Sequence, residues 1–394
     1  MVSLLLAIIY ISFVSLGLPD SLLGSAWPVI YPEFHVPVSY SGVIFMIISL
    51  GTVCSSLQSD RLTKKFGAGK VTAVSVAMTA AALLGFSCSH SFFALCLWAI
   101  PYGLGAGAVD AALNNYVALH FASRHMSWLH CMWGVGASVG PYIMSAAILR
   151  TSLWNMGYRI IGIMQIILSL IIFISLPLWK KHSQDSSAEG ENVEPAKPSP
   201  LREVVRFKGA KEIMVAFFCY CALEQTVSLW ASSYLVLERG ISETAATGFA
   251  SLFFLGITFG RGVNGFLTMR FSDTRLIHMG QIIVGIGILL MVLPIGNISA
   301  LAGFVAIGVG CAPIYPCIIH STPIHFGKER SQALVGVQMA SAYIGTSVMP
   351  PIFGVIAGRV SIALLPVYLF AILLLMVIMY NRVSQIPRGK PGGI

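Results

Sequence analysis

The sequence predicts an all-α membrane protein with twelve transmembrane helices arranged as two six-helix bundles. Three observations carry that prediction. The 394 residues are 56% hydrophobic and 10% charged, with a mean hydropathy of +0.83. A soluble domain carries roughly 25% charged residues, so this chain cannot solvate its surface in water and needs lipid around it. Apolar segments of about 20 residues, enough to cross a bilayer as a helix, recur along the whole length. One polar connector divides them into six and six.

The expected helices run over 2–30, 38–59, 69–88, 92–120, 124–150 and 157–179, then 211–237, 243–263, 274–294, 297–325, 328–357 and 361–382. The first segment lacks a basic leading region and a small-residue cleavage site, and it reads as a retained helix rather than a signal peptide. The connector, Lys180 to Ala210, is rich in Ser, Glu and Gly and holds Pro195, Pro198 and Pro200, which suits a flexible linker. It separates an N-terminal bundle (1–180) from a C-terminal bundle (211–394), the connector itself being 181–210.

Lys and Arg set the orientation. With a cytoplasmic N-terminus, twenty basic residues fall on inside loops and tails, and only Arg150, Arg159, Arg239 and Arg359 fall outside. The positive-inside bias therefore predicts both termini cytoplasmic in a multi-pass protein of the cell membrane. The net charge of +9 is dispersed among these short loops and forms no nucleic-acid patch.

The halves also echo each other. Gly136-Ala-Ser-Val-Gly-Pro141 in the fifth helix and Gly345-Thr-Ser-Val-Met-Pro350 in the eleventh share the pattern G-x-S-V-x-P. Gly103, Gly105 and Gly107 in the fourth helix have a shorter echo in Gly308 and Gly310 of the tenth. Transporters built from two related halves show such weak internal symmetry, with substrate sites near the midplane.

Carboxylates inside apolar helices cost several kcal/mol on most scales and mark substrate or ion pathways. Three stand out. Asp20 follows Gly17 and Pro19, which loosen the first helix, although a place near the extracellular end would solvate it. Asp110 lies four residues before Asn114, so the two share a helix face, and Asn115 follows. They can bind hydroxyls, carry a proton, or knot two helices together. Glu224 precedes Gln225 and Trp230 in the seventh helix and serves either as a proton carrier, a substrate ligand or an interhelical brace. Asp20, Asp110 and Glu224 are thus the proton-coupling candidates. His130 and Trp133 on the fifth helix, Tyr315 and His320 on the tenth, and Gln338 on the eleventh are further substrate-binding candidates, each of which can instead be a packing residue. Acids, amides and indoles together suit a sugar: hydroxyls pair with acids and amides, and a pyranose face stacks on an aromatic ring.

No phosphate loop and no HExxH is present, and the GxSxG string Gly136–Gly140 and the GxGxxG string Gly260–Gly265 lie in apolar helical segments rather than after a predicted strand. Gly260-Arg-Gly-Val-Asn-Gly265 is a glycine loop only superficially and is expected where a helix leaves the membrane. The eight cysteines lie in or beside apolar segments without metal-type spacing and read as small buried hydrophobes. Neither a cofactor nor a metal is expected.

Together these features resemble the major facilitator superfamily over nearly the whole chain. Ser59-Asp-Arg-Leu-Thr-Lys-Lys-Phe-Gly67 is similar to the superfamily's G-x-x-x-D-R-x-G-R-[KR] loop, without its leading glycine and with altered spacing. Gly265-Phe-Leu-Thr-Met-Arg270 looks like its degenerate second copy. The resemblance implies a gating role in the inward-closed state, with Asp60, Arg61 and Arg261 as candidates. Within the superfamily, Gly107 to Tyr116, Glu224 with Trp230 and Tyr234, and Ala312-Pro-Ile-Tyr-Pro316 resemble the fucose/galactose/glucose:proton symporter group. That resemblance implies that the acids on helices one and four, here Asp20 and Asp110, handle substrate and proton; the group often has Glu where this chain has Asp110.

The expected activity is therefore proton-coupled uptake of a hexose or related sugar by an alternating-access transporter, not an enzyme. The expected partners are a small-molecule sugar, the proton and membrane lipid, with no nucleic acid, and the protein is expected to be a monomer. A drug or metabolite exporter of the same fold, a sodium-coupled sugar symporter and a non-transporting receptor stay open on the sequence alone.

Overall fold

Apolar side chains leave the backbone one way to satisfy its polar groups inside lipid, which is to form helices. The computed structural model describes residues 2–20, 22–37, 40–188, 201–241, 243–293 and 295–386, and among these no residue forms a strand. The helices are α1 (Val2–Asp20), α2 (Leu22–Glu33), α3 (Ser41–Phe66), α4 (Ala68–Ser87), α5 (Phe92–His120), α6 (Ser123–Thr151), α7 (Trp154–Ala188), α8 (Leu201–Val204), α9 (Ala210–Leu237), α10 (Glu243–Leu267), α11 (Asp273–Val292), α12 (Asn297–Phe326), α13 (Lys328–Arg359) and α14 (Leu365–Ser384). Among the described residues, eleven helical stretches are long and apolar enough to cross a bilayer, and Leu252–Leu267 in α10 is a shorter twelfth. Phe93, Leu149, Ile174 and Ile298 are each at least 80% exposed, as lipid-facing side chains are.

Two expected boundaries move, the end of the second helix and the limits of the connector. The first apolar segment is described as Val2–Asp20 and Leu22–Glu33, with residue 21 outside the described residues, and Leu4–Trp27 counts as one membrane-length stretch. Pro19 lies inside α1, next to Asp20, and withholds a backbone donor there. The second helix was expected to end at 59 with Ser59–Gly67 as a loop, but α3 continues to Phe66. Its polar end stays helical because Asp60 and Lys64, four apart, pair at 3.0 Å, and Gly67, at φ 82°, ends it. Of the expected connector, α7 reaches Ala188 and α8 occupies Leu201–Val204, while 189–200, with Pro195, Pro198 and Pro200, lie outside the described residues.

The chain forms two compact units, one of Met1–His120 with Leu129–Ser199 and one of Phe121–Trp128 with Pro200–Ile394. In the first, α5 packs on α3 and α4, and α7 packs on α4 and α1. Leu18, Trp27, Ile44, Phe86, Tyr102, Trp154 and Tyr158 form a buried cluster there. In the second, α12 packs on α10 and α11, and α9 packs on α13 and α14.

Glycine makes these approaches possible, and it explains the sequence repeats. Residues two apart on a helix point about 200° apart, so the glycine run of α5 serves two neighbours. A Cβ on Gly103 or Gly107 would strike the Ile48 or Thr52 carbonyl of α3, and one on Gly105 would meet the Ser75 carbonyl of α4 at 2.7 Å. In the other unit, a Cβ on Gly308 would strike the Phe253 carbonyl of α10, and one on Gly310 would meet the Gly280 carbonyl of α11 at 2.7 Å. The G-x-S-V-x-P glycines match in the same way. Gly136 of α6 faces the Val14 carbonyl of α1, and Gly345 of α13 faces the Phe218 carbonyl of α9. Equivalent helices of each half thus cross at equivalent glycines.

Of the cysteines, Cys219, Cys221, Cys311 and Cys317 are buried as expected, whereas Cys54 and Cys88 are exposed.

Candidate functional site

In the first unit, the α1–α6 crossing sets the chemistry. Gly17 lies one turn before Asp20, and a Cβ there would strike the Trp133 carbonyl. With the two backbones this close, Trp133 Nε1 donates to Asp20 Oδ2 at 2.8 Å. Tyr102 of α5 donates its hydroxyl to Oδ1 of the same carboxylate at 3.4 Å. Two turns along α5 from Tyr102, Asp110 Oδ1 accepts from Asn114 Nδ2 at 2.8 Å, the i, i+4 pairing expected from the spacing.

The array continues to α6. Asn114 Oδ1 lies 2.9 Å from His130 Nε2. Because the Asn114 amide nitrogen already donates to Asp110, its oxygen faces His130, and the hydrogen-bond pattern assigns the proton to Nε2. The His130 ring stands edge-on to Phe13 of α1, with centroids 5.3 Å apart and an interplanar angle of 86°. Asn114 and His130 are buried at 0% and 5% exposure, while Asp110 is half-buried and Asp20 exposed. Asp20 and Asp110 are near enough to interact electrostatically. Three helices therefore bring Asp20, Asp110, Asn114, His130 and Trp133 into one polar array. Asn115, next along α5, is buried at 4% exposure.

In the second unit, the acid has a fixed counter-charge. Glu224 of α9 lies 3.4 Å from Arg261 of α10, with side chains 19% and 3% exposed. Arg261 also donates to the Tyr220 hydroxyl at 3.4 Å. The Tyr315 ring of α12 stands 5.9 Å from that of Tyr220 and 4.7 Å from that of Phe217, and its hydroxyl points at the Met339 sulfur 3.1 Å away. Gln225, next to Glu224, is half-buried. Arg261, expected where a helix leaves the membrane, instead sits within α10 as the partner of the half-buried Glu224.

The remaining candidates fall elsewhere. Trp230 is used in packing: Nε1 donates to the Pro350 carbonyl at 3.0 Å, its ring meets Phe353 edge-on at 5.5 Å, and Gly354 of α13 leaves room for it. His320 belongs to a separate cluster in which Nδ1 lies 2.6 Å from Asp273 Oδ2 and Nε2 lies 3.2 Å from the Phe121 carbonyl. Ser123 donates to the other Asp273 oxygen. Gln338 is fully buried and accepts from Thr322 at 3.1 Å. Asp60, 5% exposed, pairs with Lys64 while Arg61 is exposed.

Two site residues escaped the sequence reading, Tyr102 and Tyr220. Both had a signal, since Tyr220 is four residues before Glu224 and Tyr102 eight before Asp110, spacings that place each on its acid's helix face.

A family model for the Major Facilitator Superfamily matches residues 9–250 and 213–393. The chain belongs to that superfamily and is a multi-pass membrane transporter rather than an enzyme. It is 23% identical over 392 residues to Bypass of stop codon protein 6 of Saccharomyces cerevisiae, which spans 90% of this chain and 77% of that protein. Three solved structures share its fold. FucP, a superfamily transporter in the outward conformation, matches with TM-score 0.75 and 14% identity over 96% of this chain and 98% of its own. The proton:xylose symporter XylE matches with TM-score 0.77 and 12% identity over 98% and 96%. The human organic anion transporter MFSD10 matches with TM-score 0.71 and 14% identity over 95% and 98%.

Proposed function

We propose that this transporter couples an inward proton gradient to uptake of a hexose or related sugar by alternating access, in the cell membrane, with both termini cytoplasmic. The observation that carries the proposal is the array of the first unit, where Asp20 takes hydrogen bonds from Trp133 and Tyr102 and Asp110 is linked through Asn114 to His130. Two carboxylates on separate membrane helices, each held by neutral donors, can accept a proton and release it as access alternates. The same donors and acceptors match the hydroxyls of a sugar, and the Trp133 indole offers an apolar face for its ring. Among the neighbours by fold, XylE is a proton:xylose symporter, in keeping with this reading.

Asp20 and Asp110 carry the coupling, while Asn114, His130 and Trp133 orient the solute. The test is Asp110→Asn, which keeps an acceptor for Asn114 and removes the group that carries the proton. Purified into liposomes, the variant is expected to exchange labelled sugar down its gradient and to lose proton-driven accumulation. Uphill uptake retained in that variant would remove Asp110 from the coupling role.

A further inference from the structure

Pro19 leaves a gap in the hydrogen bonding of α1 one residue before Asp20. A helical N–H donates to the carbonyl four residues back, and proline has none to give. The carbonyl deprived by Pro19 is that of Ser15. Membrane helices tolerate such a gap where a neighbouring helix satisfies the freed group. Here α7 does so: Gln165 Nε2 donates to the Ser15 carbonyl at 2.8 Å. Its Oε1 accepts from the Thr79 hydroxyl of α4, also at 2.8 Å. The Ser15 carbonyl can only accept, so it fixes which end of the amide faces α1. Gln165 and Thr79 are each 1% exposed and Ser15 is 6% exposed, which leaves little room for water to replace the amide.

The chain between Ser15 and Asp20 also carries the crossing with α6. A Cβ on Gly17 would strike the Trp133 carbonyl, and Asp20 takes its bond from the Trp133 indole. This stretch is therefore held from two sides, by α6 through Gly17 and Asp20 and by α7 through Gln165. Without the amide, the buried Ser15 carbonyl must turn toward another donor, and the stretch that turns carries Asp20. We infer that Gln165 is a positioning residue for Asp20: it completes the hydrogen bond that Pro19 withholds and so presents the Asp20 carboxylate to Trp133 and Tyr102. The role rests on the proton-coupled sugar reading above and adds α7 to it.

The test compares two rates in liposomes holding the full chain, with radiolabelled D-glucose, D-galactose and L-fucose as probes. One is accumulation driven by an inward proton gradient, the other exchange of the same probe without a gradient. Gln165→Leu leaves the Thr79 hydroxyl its bond to the Val76 carbonyl, so the Ser15 carbonyl is the group that loses its partner. Driven accumulation relative to exchange should fall about 5- to 100-fold. A loss of folded protein alone lowers both rates together and leaves their ratio unchanged. Thr79→Val is the control, because it keeps the bond to Ser15, and its ratio should stay near wild type. A double-mutant cycle with Pro19→Ala gives a second reading that needs no transport. Pro19→Ala restores a backbone donor to the Ser15 carbonyl, so Gln165→Leu should lower the melting temperature less in that background than in wild type. Folding of the double variant where Gln165→Leu alone fails to fold is the same result in stronger form. An unchanged ratio in Gln165→Leu, an equal fall in Thr79→Val, or equal melting losses in both backgrounds would overturn the inference and leave the proton-coupled reading standing. Wild-type protein that accumulates none of the three probes under the gradient would overturn both.

Discussion

Gly136→Ala adds one methyl group at the crossing that builds the first unit's polar array. The new Cβ would strike the Val14 carbonyl oxygen, and it would lie 2.9 Å from the Val14 carbonyl carbon and 3.0 Å from the Leu18 nitrogen. All three are backbone atoms and cannot rotate aside, so α1 and α6 must separate. Such overpacking costs about 1–3 kcal/mol. Separation also stretches the 2.8 Å bond from Trp133 to Asp20, and a hydrogen bond to a charged group contributes about 1.5–3 kcal/mol. Against this stands the better helix propensity of Ala, about 1 kcal/mol. The balance is a net loss of roughly 1.5–5 kcal/mol. Gly24→Ala is the control, since nothing lies within 4 Å of a Cβ there and only the propensity gain remains. Heat melts of the purified proteins in one detergent, with initial sugar uptake measured alongside, compare them. Gly136→Ala should melt below wild type and transport more slowly, and Gly24→Ala should melt at or above it. A Gly136→Ala protein melting with the control would refute the close crossing and the role given to it.

Trp133→Phe keeps the ring and removes the donor to Asp20; uptake efficiency should fall about 10- to 100-fold with little change in melting, and normal uptake would remove that bond from the mechanism. Trp230→Phe loses the bond to the Pro350 carbonyl, so it should lower stability by about 1 kcal/mol while leaving the solute's KM near wild type; a large KM change would return Trp230 to the solute site. Single cysteines at both termini of a protein cleared of native cysteines should react with an impermeant maleimide only after the cell is opened, and labelling of intact cells would reverse the topology.

Much of the fold was legible because lipid permits so few structures. Helix number and the repeat glycines follow from apolar length and from small residues at crossings. Helix ends were less legible: α3 outruns its apolar segment because the Asp60–Lys64 pair supports one more polar turn. Asp20, Asp110, Asn114, His130 and Trp133 could be singled out because a polar group in a lipid-spanning helix needs a reason. Trp230 and His320 looked equivalent to them, since an apolar helix carries little period to show which way a side chain faces. The Glu224–Arg261 pair depends on the register between α9 and α10, which neither segment encodes alone.

The account's central claim is proton-driven solute accumulation, and uptake into proteoliposomes tests it most directly. A panel of radiolabelled hexoses would be offered with and without an imposed inward proton gradient. The account predicts that at least one sugar accumulates above its external concentration only when the gradient is present. Absence of flux for every member of the panel, or accumulation that ignores the gradient, would contradict it.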